Sequence, residues 1–140
     1  MIAFNYNNCR VLHIIDFRWY YSMLSIFKCD VKKYDEIEPN EAFIIIEKKA
    51  NKSNFIILDV RTLNEYKEEH LESAQLLNVK STYFIDELDR MDKNKKYFVY
   101  CRRGKRGRIA VNLMKKQGYI DVHNITGGIN KWKSKKLPVK

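Results

Sequence analysis

From about Lys33 onward, short apolar runs alternate with amphipathic stretches, a rhythm that predicts strands and helices in turn and so an α/β fold. Pro39 opens a helix in which Ala42, Ile45, Ile46 and Ala50 share one face, and the polar run from Asn51 to Asn54 stops it. Phe55 to Val60 is apolar on both faces up to Asp59, the pattern of a parallel strand covered by helices on either side. A charged helical turn is predicted around Asn64 to Glu69, and a short strand from Gln75 to Val79. A helix from about Ser81 to Met91 follows, with Phe84, Ile85 and Leu88 inward.

Tyr97 to Tyr100 is four consecutive aromatic or β-branched residues, which marks a central buried strand, and it runs directly into Cys101. Behind the glycine-flanked basic segment 101–107, Ala110, Leu113, Met114 and Gln117 recur at helical spacing. Gly118 stops that helix, with Lys115 and Lys116 complementing its last turn. Asp121 to Ile125 is a last strand, Gly127-Gly128 a turn, and Ile129 to Ser134 a last helix that places Trp132 against the core. No internal repeat or low-complexity tract interrupts the pattern.

The regular pattern makes residues 34–140 one domain and leaves 1–33 as an N-terminal extension of unknown role. Within the extension, Val11 to Phe27 is the most apolar stretch, but Asp16 and Arg18 near its centre each add about 2.5–3.5 kcal/mol to membrane insertion. No transmembrane span is expected. A signal peptide is not expected either, because no clean apolar core and no small-residue cleavage site follow. A short helix lying on a membrane surface, or a second translation start at Met23 that makes the first 22 residues dispensable, both remain open.

Composition narrows the class. A chain of 140 residues with 45% apolar residues, five glycines and two prolines buries an ordinary core and is neither disordered nor fibrous. Its three cysteines, Cys9, Cys29 and Cys101, form no C-x-x-C pair, which speaks against a disulfide scaffold and a zinc ribbon and for a reducing, cytoplasmic setting. Cys9 and His13 have ligand spacing, but no second pair completes a tetrahedral site, so no metal and no cofactor are expected.

Charge is uneven. The formal net charge is +10, from 27 Lys and Arg against 17 Asp and Glu. Residues 92–140 hold 15 of those cations against Asp92 and Asp121, so this segment carries +13 and the remainder −3. A basic half attracts nucleic acid, anionic lipid or a small anion, and equally serves as a solvated face, so charge alone names no partner.

The segment that carries chemistry is Cys101-Arg-Arg-Gly-Lys-Arg-Gly107, between a buried strand and a helix. Sites in open α/β sheets form beyond the carboxyl ends of strands, and a helix N-terminus supplies unpaired N–H groups and partial positive charge. A thiol placed there among arginines is favoured as thiolate, the nucleophilic form. Gly104 permits φ > 0, so that backbone N–H groups can turn inward as an anion-binding nest, reinforced by Arg102, Arg103, Lys105 and Arg106. The plainer alternative is a buried cysteine packing as a small hydrophobe, which leaves four cations within the next five residues without a reason.

Taken in order, these motifs resemble those of the rhodanese-like sulfurtransferases over about residues 35–139. The resemblance rests on Leu-Asp-Val-Arg at 58–61, Glu65-Tyr66, His70-Leu71 followed by Ala74, and Tyr100-Cys101 with C-x-x-G-x-R. It extends to Gly127-Gly128-Ile129 with Trp132 and the closing Leu137-Pro138-Val139. It implies a single α/β rhodanese-like domain with a central, mainly parallel sheet and helices on both faces. It also implies a catalytic Cys101 that carries sulfane sulfur as a persulfide, and a substrate-binding loop of Arg102, Arg103, Gly104, Lys105 and Arg106 closed by Gly107. Asp59 and Arg61 would sit beside the loop as supporting residues, with Arg61 pairing Glu65 across the strand-to-helix turn. His70 belongs to a turn and His123 to a strand.

Three positions depart from the family pattern. Ser73 stands where a glycine usually turns the chain, Asn78 where proline is frequent, and Gly107 where a serine or threonine commonly follows the loop. With no hydroxyl at 107, stabilisation of the sulfur is expected from backbone N–H groups alone.

Three functions compete. The first is a sulfurtransferase moving sulfur from a small anionic donor such as thiosulfate, or from a persulfide, to a thiol or other nucleophile by two displacements through Cys101, without a cofactor. The second is a persulfide carrier or interaction module that delivers sulfur to a protein or a tRNA; the aromatics lie in strands and the cations on helices and loops, which disfavours nucleic acid. The third is a cysteine-dependent phosphatase or arsenate reductase, whose C-x5-R loop would need arginine at 107, where this chain has glycine.

Overall fold

The structure, a computed structural model, describes residues 36–48 and 55–140. The expectations for residues 1–33, including those for Cys9, His13, Cys29, Met23 and the Val11 to Phe27 stretch, lie outside the described residues, as do Ala50 and the break from Asn51 to Asn54.

Strands β1 (Glu36–Ile37), β2 (Phe55–Asp59), β3 (Gln75–Leu76), β4 (Lys96–Tyr100) and β5 (Asp121–Ile125) form one sheet. Its order is β1-β5-β4-β2-β3, with every neighbouring pair parallel. Parallel neighbours need crossovers, and helices α1 (Pro39–Lys48), α2 (Leu63–Glu68), α3 (Phe84–Arg90) and α4 (Lys105–Lys116) supply them, while α5 (Gly128–Ser134) follows the last strand. The α/β fold with a parallel sheet is therefore as the alternation predicts.

Alternation along β4 divides the core in two. Phe98 and Tyr100 join Phe55, Ile57 and Ile125 under Ala42 of α1 and Ile129 and Trp132 of α5. Tyr97 and Val99 join Leu58 and Val60 under Phe84 and Leu88 of α3 and Ala110, Val111 and Met114 of α4. Helices thus cover both faces, which is why β2 and β4 read as continuous apolar runs. Among the described residues no helix is long and apolar enough to cross a membrane.

Several boundaries differ from the sequence reading. Strand β1 has only two residues and no pattern of its own, so periodicity could not mark it. The ladder of β3 stops at Leu76, although Leu77 N–H and Val79 N–H still reach the carbonyls of Asp59 and Val60. Helix α3 begins at Phe84 rather than Ser81, because the Ser81 hydroxyl accepts the Tyr83 N–H and holds 81–83 as a turn. Ser73 keeps the turn its position calls for by adopting φ 62° itself, a conformation that costs a residue with a Cβ.

Tyr100 connects the core to the far turn, since its buried hydroxyl accepts the Leu71 N–H at 3.1 Å. Burial first, and then the Asp59 carboxylate, pushes its phenol far above the usual tyrosine range, so the group stays protonated. Replacing Tyr100 with Phe orphans that buried N–H. It is expected to destabilise the domain by about 1–3 kcal/mol, read as a lower urea midpoint at unchanged slope.

Candidate active site

The site forms where β4 ends. Cys101 is the first residue past the strand and is 1% exposed. Gly104 is the N-cap of α4 with φ 94°, the left-handed conformation expected of it, and this turns its N–H back to within 3.1 Å of Cys101 Sγ. One amide of the expected nest therefore reaches the sulfur.

The other side of the loop is held by α5. The carbonyls of Cys101 and Arg102 accept the N–H groups of Ile129 at 2.9 Å and Asn130 at 3.1 Å, among the donors that a helix N-terminus leaves free. This docking works only because residue 128 is glycine: a Cβ there would lie 2.1 Å from the Cys101 carbonyl oxygen. The Gly-Gly dipeptide, expected only as a turn, is thus part of the site.

The cations separate into two groups. Arg102, Arg103 and Lys105 are exposed and, with Cys101 and Arg106, line a pocket of about 380 Å³. Arg106 is different, since its two terminal nitrogens each lie 2.7 Å from a carboxylate oxygen of Glu65, a two-point pair that fastens α4 to α2. Glu65 also belongs to a capping box with Thr62, whose side chain accepts the Glu65 N–H. The Arg106 hydrogen bonds, aided by those from Thr62 and opposed by partial burial, lower its carboxyl to about 2.

Glu65 therefore does not pair with Arg61, as the sequence reading expected. Arg61, 2% exposed, folds back on Asp59 instead: its Nε lies 2.9 and 3.0 Å from the two carboxylate oxygens and its Nη2 lies 2.7 Å from one of them. Nη2 also donates to the Glu69 carbonyl, and the guanidinium lies 5.5 Å from the Tyr100 ring centroid. Burial is the largest single influence and opposes the Arg61 charge, but the hydrogen bonds and the charge of Asp59, with smaller help from Tyr100 and Glu65, together raise its pKa. The pair lies beside the loop, because Val60 N–H donates to the Tyr100 carbonyl. Both side chains are buried below the pocket lining, so they brace the end of β2.

His70 stacks on Tyr66 at 4.0 Å just before the turn at 72–73, and His123 lies in β5 against Asp121. Sequence reading missed Asn124. This β5 residue is 1% exposed, its Nδ2 donates to the Gly104 carbonyl at 3.3 Å, and its Oδ1 has no partner among the described residues. An unpaired buried acceptor costs roughly 1–3 kcal/mol. The only signal in the sequence was a polar residue between His123 and the apolar Ile125.

The family model for the Rhodanese-like domain matches residues 45–135. Over 101 residues the chain is 29% identical to the thiosulfate sulfurtransferase GlpE of Coxiella burnetii, spanning 72% of this chain and 89% of that one. It is 26% identical over 104 residues to the adenylyltransferase and sulfurtransferase uba4 of Ogataea parapolymorpha, which covers 74% of this chain but 26% of that protein. Among solved structures, a rhodanese-related protein from Thermoplasma volcanium aligns with a TM-score of 0.66 at 22% identity, covering 76% of this chain and 98% of that one, a likeness of fold.

The Glu65–Arg106 pair sets a pH signature. Because the folded-state carboxyl lies near 2 and its ordinary value is 4.5, the pair stabilises fully above pH 4.5, and its contribution fades as the pH falls toward 2. Glu65→Gln is expected to lower the urea midpoint at neutral pH. The gap to the parent protein is expected to narrow steadily below pH 4.5, and denaturation series across that range check it.

Proposed function

The chain belongs to the rhodanese-like domain family, and from that premise we propose that it is a sulfurtransferase that carries sulfane sulfur on Cys101. Sulfur transfer in general is supported by the family and by relatives named for it. The observation that carries the finer reading is the Cys101 sulfur itself, turned onto the Gly104 amide at the base of a pocket rimmed by cations.

In this reading the Cys101 thiolate attacks the outer sulfur of thiosulfate. A Cys101–sulfur bond forms, the donor's sulfur–sulfur bond breaks, and sulfite leaves with the electron pair. A second nucleophile, a thiolate or cyanide, then takes the outer sulfur and returns the Cys101 thiolate, which gives ping-pong kinetics. The Gly104 amide supports negative charge on the sulfur in both anionic states. Arg102, Arg103 and Lys105 meet the incoming anion, while Arg106 lines the pocket with its nitrogens occupied by Glu65. The acceptor in the cell is a thiol or a sulfur-carrier protein, and a reducing cytoplasm suits the cycle. Phosphatase chemistry is disfavoured because no arginine occupies position 107, and the arginines on either side, Arg106 and Arg108, are turned to Glu65 and Glu36.

Intact-mass measurement after thiosulfate treatment is expected to show a gain of one sulfur atom that cyanide removes. Cys101→Ser is expected to show no gain and no transfer while keeping its fold. A stable gain in that variant would place the sulfur on another residue.

The rim makes a separate expectation. Changing Arg102 and Arg103 together to Ala is expected to raise the thiosulfate KM roughly five- to tenfold, with kcat little changed and a flatter dependence on ionic strength. Steady-state kinetics at two salt concentrations measure both effects.

A further inference from the structure

Asn124 occupies a buried position in β5 and is paired in register with Val99 of β4 and Glu36 of β1. A leucine would fill this space without leaving a buried acceptor unpaired, as Asn124 Oδ1 is. What asparagine adds is a donor, and that donor is aimed at the Gly104 carbonyl. Flipping the amide would set two acceptors against each other, so the orientation is fixed by its partner.

Gly104 is the residue whose amide holds the sulfur. Its N–H lies 3.1 Å from Cys101 Sγ, and its carbonyl accepts from both Asn124 Nδ2 and the Arg108 N–H. A strand residue therefore grips the carbonyl of the same glycine whose N–H meets Cys101. The side chain reaches it across Gly107, where a Cβ would lie 2.0 Å from Asn124 Oδ1. Gly107, a departure from the family pattern in the sequence, is the space this amide needs.

We propose that Asn124 is a positioning residue for sulfur transfer: its Nδ2–H fixes Gly104 and thereby the direction of the amide that meets the Cys101 sulfur, and Gly107 is its steric counterpart. This deepens the sulfurtransferase reading and rests on it for the kinetic part. The donor acts through Gly104 and touches no substrate. Charge on sulfur changes at each displacement, and a pre-set amide answers it without reorganising.

The decisive variant is Asn124→Leu, which keeps a branched side chain of similar length and removes the donor. Its kcat from thiosulfate to cyanide is expected to fall about tenfold or more, with KM within about twofold. Amide exchange of Gly104, followed by NMR, is expected to accelerate about tenfold or more while Val99 in β4 keeps its protection. A kcat within about twofold of the parent, or equal acceleration at Gly104 and Val99, overturns the proposal, because a mere space-filler behaves so. Should the leucine variant not fold, Asn124→Ala is read in its place.

The steric pairing has its own arm. Gly107→Ala is expected to impair the parent protein strongly and to add less than about twofold loss in an Asn124→Ala background. Simple additivity of the two losses refutes the pairing. If the parent protein forms no persulfide with thiosulfate, the sulfurtransferase reading falls, while the exchange comparison still decides whether Asn124 positions Gly104.

Discussion

Gly128 meets the loop backbone so closely that the N-terminal amides of α5 become the anchor for the Cys101 and Arg102 carbonyls. With those carbonyls turned toward α5, the chain is set to curl the other way, and Gly104 completes the curl by entering left-handed space and presenting its N–H to the sulfur. A thiol at the end of a buried strand would otherwise pack as one more apolar group. The backbone contact with α5 converts it into a sulfur with a defined polar partner and one open side.

Charge is then arranged in two layers. Two cations are bound to fixed partners: Arg61 to Asp59 inside the domain, and Arg106, in the pocket wall, to Glu65 at the seam between α2 and α4. The Arg61–Asp59 pair is buried and Arg61 also donates to the Glu69 carbonyl, while the partly buried Arg106–Glu65 pair joins two helices. At the rim, Arg102, Arg103 and Lys105 are exposed, so their charge is available to an approaching anion. A run of four cations in the sequence is therefore two kinds of residue, separated by whether an acid from another segment reaches them.

The sequence made the scaffold legible because the scaffold obeys short-range periodicity. Phe55 to Asp59 and Tyr97 to Tyr100 announced central strands by being apolar on both faces, and Cys101 was singled out by what flanks it. The contacts that complete the site escaped because each joins positions remote along the chain. Arg106 finds Glu65 across 41 positions, and Asn124 finds Gly104 across 20. Arg61 was expected on Glu65, but the turn at the end of β2 brings Asp59 within its reach. Thr62-x-x-Glu65 forms a capping box that the expected helical turn around Asn64 to Glu69 did not use, and neither it nor the spacing signalled the second task of Glu65.

The sheet order has a consequence for how the protein is made. Strand β4 lies between β2, which precedes it in the chain, and β5, which follows it, and every pairing is parallel and non-local, a topology that folds slowly relative to helical bundles. During synthesis Cys101 emerges well before Asn124, Gly128 and α5, the groups that later enclose its loop. The nascent thiol thus passes through an interval in which it is an ordinary, accessible cysteine, open to stray oxidation. The sulfur and the residues that later enclose it arrive one after the other along the chain.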